Sequence, residues 1–297
     1  MSDTSTTVGF GWLHDLPSIN DYTPEQAKVK PMLAKLHQTK TKAKGAPASL
    51  PASVDLRAWC SPIENQLSLG SCTANAGVGM VEYYERRAYG RHVDASRLFL
   101  YKATRDLMKT TGDSGGYLRS TMEALVLFGV PPEEYCPYVV ANFDNEPTAF
   151  LYSFGQNYQA LNYYRLDPAG TTAANVLAAI KANLAAGLPS MFGFTVYNSY
   201  TQASVANKGA IPYPVAGEKI VGGHAIVAVG YNDSLVIKNT AAGAVASTGA
   251  LLIRNSWGTG WGDGGYGWLP YAYVLNGLAT DWWSLISQDY VDTGKFG

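Results

Sequence analysis

The sequence predicts an α+β protein of two lobes, in which a mainly helical lobe precedes one built on an antiparallel sheet. Of the 297 residues, 47% are apolar and 15% are charged, a balance that favours a folded chain with a large buried core. Helical spacing of apolar residues dominates between 72 and 128, and strand-like runs dominate from 189 onward. We therefore expect two packed units, at 50–165 and 166–297, with a cleft between them.

Three helices are predicted in the first unit. The first spans 72–89 and is followed by one near 96–108, for which Ser96 is the candidate N-cap. The third covers about 117–128 and stops at Gly129, just before two prolines. One face of the first helix carries small and apolar residues at spacings of three and four, namely Ala76, Gly77, Met80, Val81, Tyr84 and Ala88.

The second unit begins with a predicted helix near 172–186, capped by Thr172 and ended by Gly187. Strands rich in apolar residues are expected after it, and glycine-rich turns separate them. The predicted strands are 189–196, 224–231, 234–239, 249–255 and 265–269.

Residues 1–49 form a third region with a different composition. Lysines without neighbouring acids and the run at 39–51 are typical of a solvated linker; the lysines are Lys28, Lys30, Lys35, Lys40, Lys42 and Lys44. A disordered tail is one interpretation. The alternative is that about the first 25 residues dock on the body, because a tail has no need of the apolar cluster formed by Trp12, Leu13, Leu16, Ile19 and Tyr22.

Charge and composition exclude several classes of function. A net charge of -1 argues against a protein that binds nucleic acid through phosphate contacts. Three scattered cysteines do not make a disulfide scaffold, and the absence of CxxC and HxxxH spacing argues against a zinc site. The sequence shows neither a secretory signal nor a membrane span. We expect a cytoplasmic protein without a cofactor, although export by another route remains open.

Cys72 is the first candidate for a catalytic role, because it lies at the start of the predicted helix 72–89. Unpaired N–H groups and a partial positive charge at a helix N-terminus favour a thiolate, which is the nucleophilic form of cysteine. Taken alone, such a cysteine is more often a small buried apolar residue.

Two further polar residues lie at the ends of predicted strands. His224 follows two glycines, Gly222 and Gly223, which leave the backbone bare beside the imidazole as a substrate-binding wall would. Asn255 ends an apolar strand just before Trp257, and an asparagine can fix the tautomer and direction of an imidazole. Each has a structural alternative: a satisfied core histidine, and an asparagine that begins a turn.

Together these residues and their order resemble the papain-like cysteine peptidases over 50 to about 290. The most specific match is the twelve-residue run NSWGTGWGDGGY at 255–266. Gln66 precedes Cys72 by six residues, and 50–57 is similar to the mature N-terminus of the family. Weaker similarities are the Gly-Gly segment at 113–117 and the acidic segment at 131–138.

The resemblance implies a helical left lobe, a β-barrel-like right lobe and cleavage of peptide bonds between them. By similarity, Cys72 is the nucleophile, His224 its imidazolium partner and Asn255 the residue that orients His224. Gln66 and the backbone N–H of Cys72 would form the oxyanion hole, and Trp257 would shield the His–Asn contact. Peptide substrates would contact Gly115, Gly116, Met191, Gly222, Gly223 and Ala225, in part through a second pocket suited to an apolar or aromatic side chain.

The sequence also departs from the family pattern. Leu69 stands where the family usually has a cysteine, and Thr73 replaces the tryptophan that usually follows the nucleophile. Cys60 and Cys136 are left as a conceivable pair, and the sequence does not decide whether they meet. Residues 1–49 are shorter than the usual pro-region, and we expect residues from about 10 to 40 to cover the cleft and restrain activity.

Three functions share these residues. The first is a cysteine endopeptidase acting on peptide or protein substrates, which we favour because all four polar roles are filled. The second is an inactive peptide-binding scaffold, and the third is a transpeptidase or ligase that uses the same triad. Neither nucleic acid nor a membrane is expected as a partner.

Overall fold

The computed structural model of the protein describes residues 8–41, 50–158 and 162–296. Most of the predicted linker, residues 42–49, lies outside the described residues. The helices are α1 (Lys30–Thr41), α2 (Cys72–Tyr89), α3 (Arg97–Leu107), α4 (Leu118–Leu127), α5 (Ala149–Gly155), α6 (Ala173–Ala185), α7 (Tyr271–Leu275) and α8 (Gln288–Asp292). Within the described ranges, no helix is long and apolar enough to cross a membrane.

The four predicted helices are confirmed as α2, α3, α4 and α6, with the expected boundary signals. Ser96 caps α3 by accepting a hydrogen bond from the backbone N–H of Phe99 (3.1 Å), and Thr172 caps α6 in the same way. Gly129 and Gly187 take the left-handed φ values of 66° and 82° that end a helix. Local capping chemistry thus fixes the boundaries of these elements.

One antiparallel sheet has seven strands, six of them in the second half of the chain. Its strands are β2 (Ser53–Asp55), β4 (Asn162–Arg165), β5 (Ser190–Tyr197), β6 (Ile220–Ile237), β7 (Ser247–Arg254), β8 (Tyr266–Pro270) and β9 (Ala279–Ile286). The order is β4-β9-β5-β6-β7-β8, and β2 pairs with β6. β4 and β8 are the two edge strands, and among the described residues they do not pair with each other. The sheet is therefore open, and the expected barrel-like closure is wrong.

Three details of the sheet differ from the sequence prediction. The two strands expected at 224–231 and 234–239 are one long strand, β6, whose pairing with β7 is irregular between Asn232 and Val236. β4 and β9 were not predicted, because β4 is short and β9 is buried on both faces and so lacks alternation. Because β4 pairs with β9, we infer that the sheet unit includes residues 162–165, which the predicted boundary assigned to the helical unit.

The core lies where α2 packs against β6. α2 is buried along most of its length, including Met80 and Tyr84. A Cβ atom on Gly79 would lie 2.9 Å from Nε of Arg254, so this glycine lets β7 approach the helix. Within the sheet, Phe192 of β5 stacks on Trp282 of β9 with ring centroids 3.8 Å apart. The N-terminus of α2 is thereby fixed against the sheet.

The N-terminal region is built of β1 (Trp12–Leu13) and α1, and it contacts both halves of the protein. β1 pairs with β3 (Gly116–Tyr117) in the parallel direction. Trp12 is buried as expected, whereas Leu16 and Ile19 are 70% and 98% exposed, so the predicted apolar cluster is only partly formed. α1 was not predicted; its region buries Val29, Met32 and Leu36 in the core.

All three cysteines are free in this structure. Cys60 and Cys72 are buried, and Cys136 is half-buried. The question that the sequence left open is therefore answered: Cys60 and Cys136 do not form a disulfide.

Candidate active site

Cys72 lies at the N-terminus of α2, on the side that faces β6. Its side chain is fully buried. Burial raises the pKa of the Cys72 thiol to about 11, against the opposing hydrogen bonds from the backbone N–H groups of Ala225 and Gly11. The first of these groups belongs to the residue that follows His224, so the sheet brings the histidine segment to the sulfur.

His224 makes a specific hydrogen bond with Asn255. The distance between His224 Nε2 and Asn255 Oδ1 is 2.8 Å. An amide oxygen can only accept, so Nε2 carries the proton and Nδ1 is left as the basic nitrogen. Nδ1 is buried and has no hydrogen-bond partner among the described residues. The ring therefore presents a free acceptor inside the site.

Trp257 covers the contact between His224 and Asn255. Its indole stacks on the imidazole with ring centroids 4.6 Å apart and an interplanar angle of 20°. Burial lowers the pKa of His224 to about 4, although the hydrogen bond to Asn255 opposes this. In this conformation both His224 and the thiol of Cys72 are therefore neutral near pH 7.

Gln66 is held so that its amide N–H groups point toward the site. Ser256 Oγ donates to Gln66 Oε1 over 2.6 Å, which fixes the orientation of the amide. Gln66 Nε2 then donates to the carbonyl of Leu69 (2.8 Å) and to the carbonyl of Gly9 (3.0 Å). A peptide carbonyl of the N-terminal region thus already occupies this donor.

Residues 8–13, which we call the N-terminal strand segment, run across the site. Gly116 donates its backbone N–H to the carbonyl of Gly11 (2.8 Å). A Cβ atom on Gly11 would lie 1.8 Å from the carbonyl oxygen of Gly70, and one on Gly9 would lie 2.1 Å from that of Leu69. Only glycine allows the segment to approach the loop before Cys72 so closely.

Two aromatic side chains of the segment enter the site. Phe10 packs edge-on against His224 and Trp257, with centroid distances of 6.1 and 6.0 Å, and lies on Gly222. Trp12 lies on Gly193 and Gly223. The segment therefore contacts the amide of Gln66, the imidazole of His224 and the glycines of β5 and β6 together.

Comparison with known proteins agrees with this geometry. The family description "Papain family cysteine protease" matches residues 50–279. The chain belongs to the papain family of cysteine proteases. It is 32% identical over 232 residues to an uncharacterized peptidase C1-like protein of Acanthamoeba polyphaga mimivirus, covering 77% of this chain and 70% of the viral protein.

Two further relatives of the papain family are informative. Cathepsin K of Gallus gallus is 27% identical over 224 residues, which cover 73% of this chain and 58% of that protein. The crystal structure of xylellain, a cysteine protease from Xylella fastidiosa, superposes with a TM-score of 0.72 at 30% identity. That match covers 95% of this chain and 97% of xylellain.

The structure brings together most of the residues predicted from the papain-family resemblance. Cys72, His224, Asn255, Gln66 and Trp257 lie around one site, and the backbones of Gly116, Gly222, Gly223 and Ala225 line it. Gly115 also lies against the segment, since a Cβ atom there would lie 2.3 Å from the carbonyl oxygen of Gly11. Met191 is fully buried on β5, two residues before Gly193.

Sequence reasoning missed three contributors to this site. Ser256 orients Gln66, Phe10 covers His224, and Asp281 accepts a hydrogen bond from the indole N–H of Trp12 (3.2 Å). The signal for Asp281 was a single acid within a stretch rich in apolar residues, 279–286, which was not predicted as a strand. No group of three or more potential metal ligands occurs in the part of the chain that the structure describes.

Proposed function

We propose that the protein is a cysteine endopeptidase that hydrolyses peptide bonds with Cys72 as nucleophile and His224 as acid and base. The observation that carries the proposal is the hydrogen bond between His224 Nε2 and Asn255 Oδ1 (2.8 Å). This bond leaves Nδ1 free to take the proton of the thiol. The position of Cys72 at the N-terminus of α2 favours the resulting thiolate.

The proposed reaction proceeds through an acyl-enzyme thioester. The thiolate attacks the peptide carbonyl, and the developing oxyanion accepts hydrogen bonds from Gln66 Nε2 and the backbone N–H of Cys72. His224 then donates its proton to the leaving amine as the C–N bond breaks. A water molecule attacks the thioester, gives one proton to His224 and releases the acid product and the thiolate.

We further propose that the N-terminal strand segment restrains this activity. The carbonyl of Gly9 occupies the Gln66 donor that a substrate carbonyl would need. The thiol of Cys72 is fully buried beneath the segment, and Phe10 lies beside His224. A substrate cannot reach the sulfur until this segment moves away.

The direction of the segment supports restraint rather than self-cleavage. In a substrate, the residue that enters the second pocket precedes the carbonyl held by Gln66. In this chain the pocket is filled by Trp12, which follows Gly9. The segment thus runs opposite to a productive substrate, and the peptide bond after Gly9 is presented in the wrong direction for attack.

Both proposals are tested with fluorogenic peptide amides under reducing conditions. Gly11→Ala should raise the cleavage rate, because the new Cβ atom would overlap the carbonyl of Gly70 and displace the segment. Ile19→Ala is the matched control in the same region, since Ile19 is 98% exposed. Cys72→Ala should abolish cleavage in either background.

Each contrary result identifies a different error. Equal rates for Gly11→Ala and the intact chain would contradict the restraint. If peptides bound to the opened protein without being cut, the protein would be a binding scaffold. Product masses that show transfer of the acyl group to added amines, with little free acid, would indicate a ligase.

A further inference from the structure

The pocket that holds Trp12 is shaped for a wide, flat side chain. The indole is 9% exposed and lies between two strands. A Cβ atom on Gly193 would lie 1.8 Å from Cε2 of the indole, and one on Gly223 would lie 2.9 Å from Cε3. Any larger residue at Gly193 would therefore occupy the space of the ring. The glycines at these two positions create the pocket.

A buried carboxylate faces this pocket. Asp281 is fully buried, and its Oδ2 accepts the hydrogen bond from the indole Nε1 of Trp12 (3.2 Å). Its other oxygen, Oδ1, accepts from Nε1 of Trp283 (2.8 Å). One oxygen is thus held by the sheet while the other is directed at whatever fills the pocket.

The backbone of Asp281 also has an unusual conformation. The residue has a φ of 62°, which a non-glycine residue rarely adopts. Its N–H donates to Oδ2 of Asp167 over 2.7 Å. The surrounding structure therefore holds the backbone of Asp281 in this conformation, while the hydrogen bond from Trp283 holds its side chain.

We infer that Asp281 makes this pocket selective for tryptophan, so that preferred substrates carry tryptophan two residues before the cleaved bond. The inference rests on the proposed peptidase function and names its substrate class. Trp12 would then occupy the pocket as a resident copy of the preferred side chain. Asp281 is a specificity-determining residue, and it takes no part in the chemical step.

The neighbouring charges favour a neutral donor over a basic side chain. Nη1 of Arg165 lies 3.3 Å from Oδ1 of Asp281, so the carboxylate already has a cationic partner. An arginine or lysine in the pocket would bring a second positive charge close to Arg165. An indole N–H satisfies Oδ2 without adding charge.

Aromatic side chains without a donor are also disfavoured. Phenylalanine would fill much of the same space, but it would leave Oδ2 of Asp281 buried without this hydrogen bond. A site that is built to form a hydrogen bond rejects analogues that lack the matching group. The pocket should therefore distinguish an indole from a ring of the same shape without N–H.

The test uses full-length protein carrying Gly11→Ala, which displaces the segment, together with Trp12→Ala, which empties the pocket, and peptides with an electrophile that modifies cysteine. The peptides differ only at the residue that enters the pocket: tryptophan, benzothienylalanine (sulfur in place of N–H), phenylalanine or arginine. We expect tryptophan to label Cys72 about tenfold faster than benzothienylalanine, since the buried hydrogen bond to Asp281 is lost.

Two second-site variants check the assignment to Asp281. Asp281→Asn keeps the side-chain shape and suits the positive φ, and it should reduce the ratio of the tryptophan rate to the benzothienylalanine rate. Asp15→Asn removes an acid that pairs with Arg119 and does not touch the indole, so that ratio should stay unchanged. The comparison of peptides stands on its own if Asp281→Asn fails to fold.

The outcomes separate the two proposals. Equal labelling by tryptophan and benzothienylalanine, or faster labelling by arginine, would overturn the tryptophan preference and leave the peptidase function intact. If a small alkylating reagent modified Cys72 but none of the peptides did, the peptidase function would fail, and the pocket proposal would fail with it.

Discussion

At the scale of single residues, the main feature is that the catalytic candidates are assembled but electrically neutral. Burial raises the pKa of Cys72 to about 11 and lowers that of His224 to about 4. Because desolvation penalises the charged form of each group, a thiolate–imidazolium pair is disfavoured while the segment covers them. Under the proposed restraint, hydration of the site when the segment moves away would reduce this penalty for both groups.

This predicts a different pH dependence for closed and open protein. In the intact chain, alkylation of Cys72 by iodoacetamide should be slow at pH 7 and rise toward alkaline pH, because the thiol pKa is raised. In Gly11→Ala, the reaction should be faster at pH 7 and its apparent pKa should fall. Mass spectrometry of the peptide that contains Cys72 measures the rate. Superimposable pH profiles would contradict the neutral closed state.

The residue scale also shows what the sequence could reveal about the site. Cys72, His224, Asn255 and Gln66 were predicted because their spacing and neighbours match a known family pattern. Asp281 and Phe10 were not predicted, because their contacts join positions far apart in the chain: Trp12 and Asp281 are separated by 269 residues. No local pattern encodes a contact of this kind.

At the scale of elements, ion pairs help to attach the N-terminal region to the body. Arg119 on α4 pairs with Asp15 and with Asp21, which is 3% exposed. Arg165 at the end of β4 lies 3.4 Å from the same Asp21. The acids belong to the N-terminal region and the arginines to the body, so these pairs hold the segment in position beyond β1.

Removing Arg119 should therefore loosen the segment. Arg119→Ala loses the pairs to Asp15 and Asp21, at a cost of on the order of 1 kcal/mol, which corresponds to about a fivefold larger open population. Peptidase rates should rise by about this factor. Arg57→Ala is the control, because Arg57 also pairs with two acids but on another surface. An equal rise in both variants would assign the effect to general destabilisation.

The ion pairs of Asp21 also determine the pH at which acid should release the segment. Burial alone would raise the pKa of Asp21, but the hydrogen bonds from Arg119 and the backbone N–H of Ser18 hold this pKa below its usual 3.8. A carboxyl group whose pKa is lowered on folding stabilises the folded state at any pH above its usual pKa. That contribution is lost only as the pH falls through the lowered pKa. We therefore expect Asp21 to hold the segment at pH 5 and to release it only at a pH below the usual 3.8, measured as hydrogen exchange of the backbone amides of residues 8–13 at each pH.

Prediction of the elements from sequence followed the strength of the local signals. α3 and α6 have serine or threonine caps, and α2, α4 and α6 are closely followed by glycine, so these four helices were located correctly. α1 begins with Lys30 and Pro31 in a lysine-rich stretch, and its stability depends on burying Val29, Met32 and Leu36 against distant residues. Tertiary packing of this kind overrides composition.

At the scale of the whole molecule, the fold relies on packing between the helices and the sheet without covalent cross-links. Cys60, Cys72 and Cys136 are all free, and the core continues from α2 to β6 and β9. The family resemblance indicated the helical and sheet halves correctly. It did not indicate that the sheet stays open, because closure depends on pairing between strand edges and not on the pattern within a strand.

We therefore predict that a reducing agent does not change thermal stability. The melting temperature should be the same with and without dithiothreitol, because no disulfide is lost on reduction. Circular dichroism at 222 nm measures the transition, and a lower melting temperature under reducing conditions would reveal a cross-link between cysteines.

The packing of α1 against the C-terminal helix has a consequence for activation. Lys35 on α1 forms an ion pair with Asp292 of α8, and Val29, Met32 and Leu36 lie in the core. A protease cut within 42–49 would therefore leave the N-terminal region bound as a separate peptide, which is no longer held at the effective concentration that the covalent link provides. Under the proposed restraint, such a nicked protein would gain activity on dilution, whereas the uncut chain would respond to no change in its concentration.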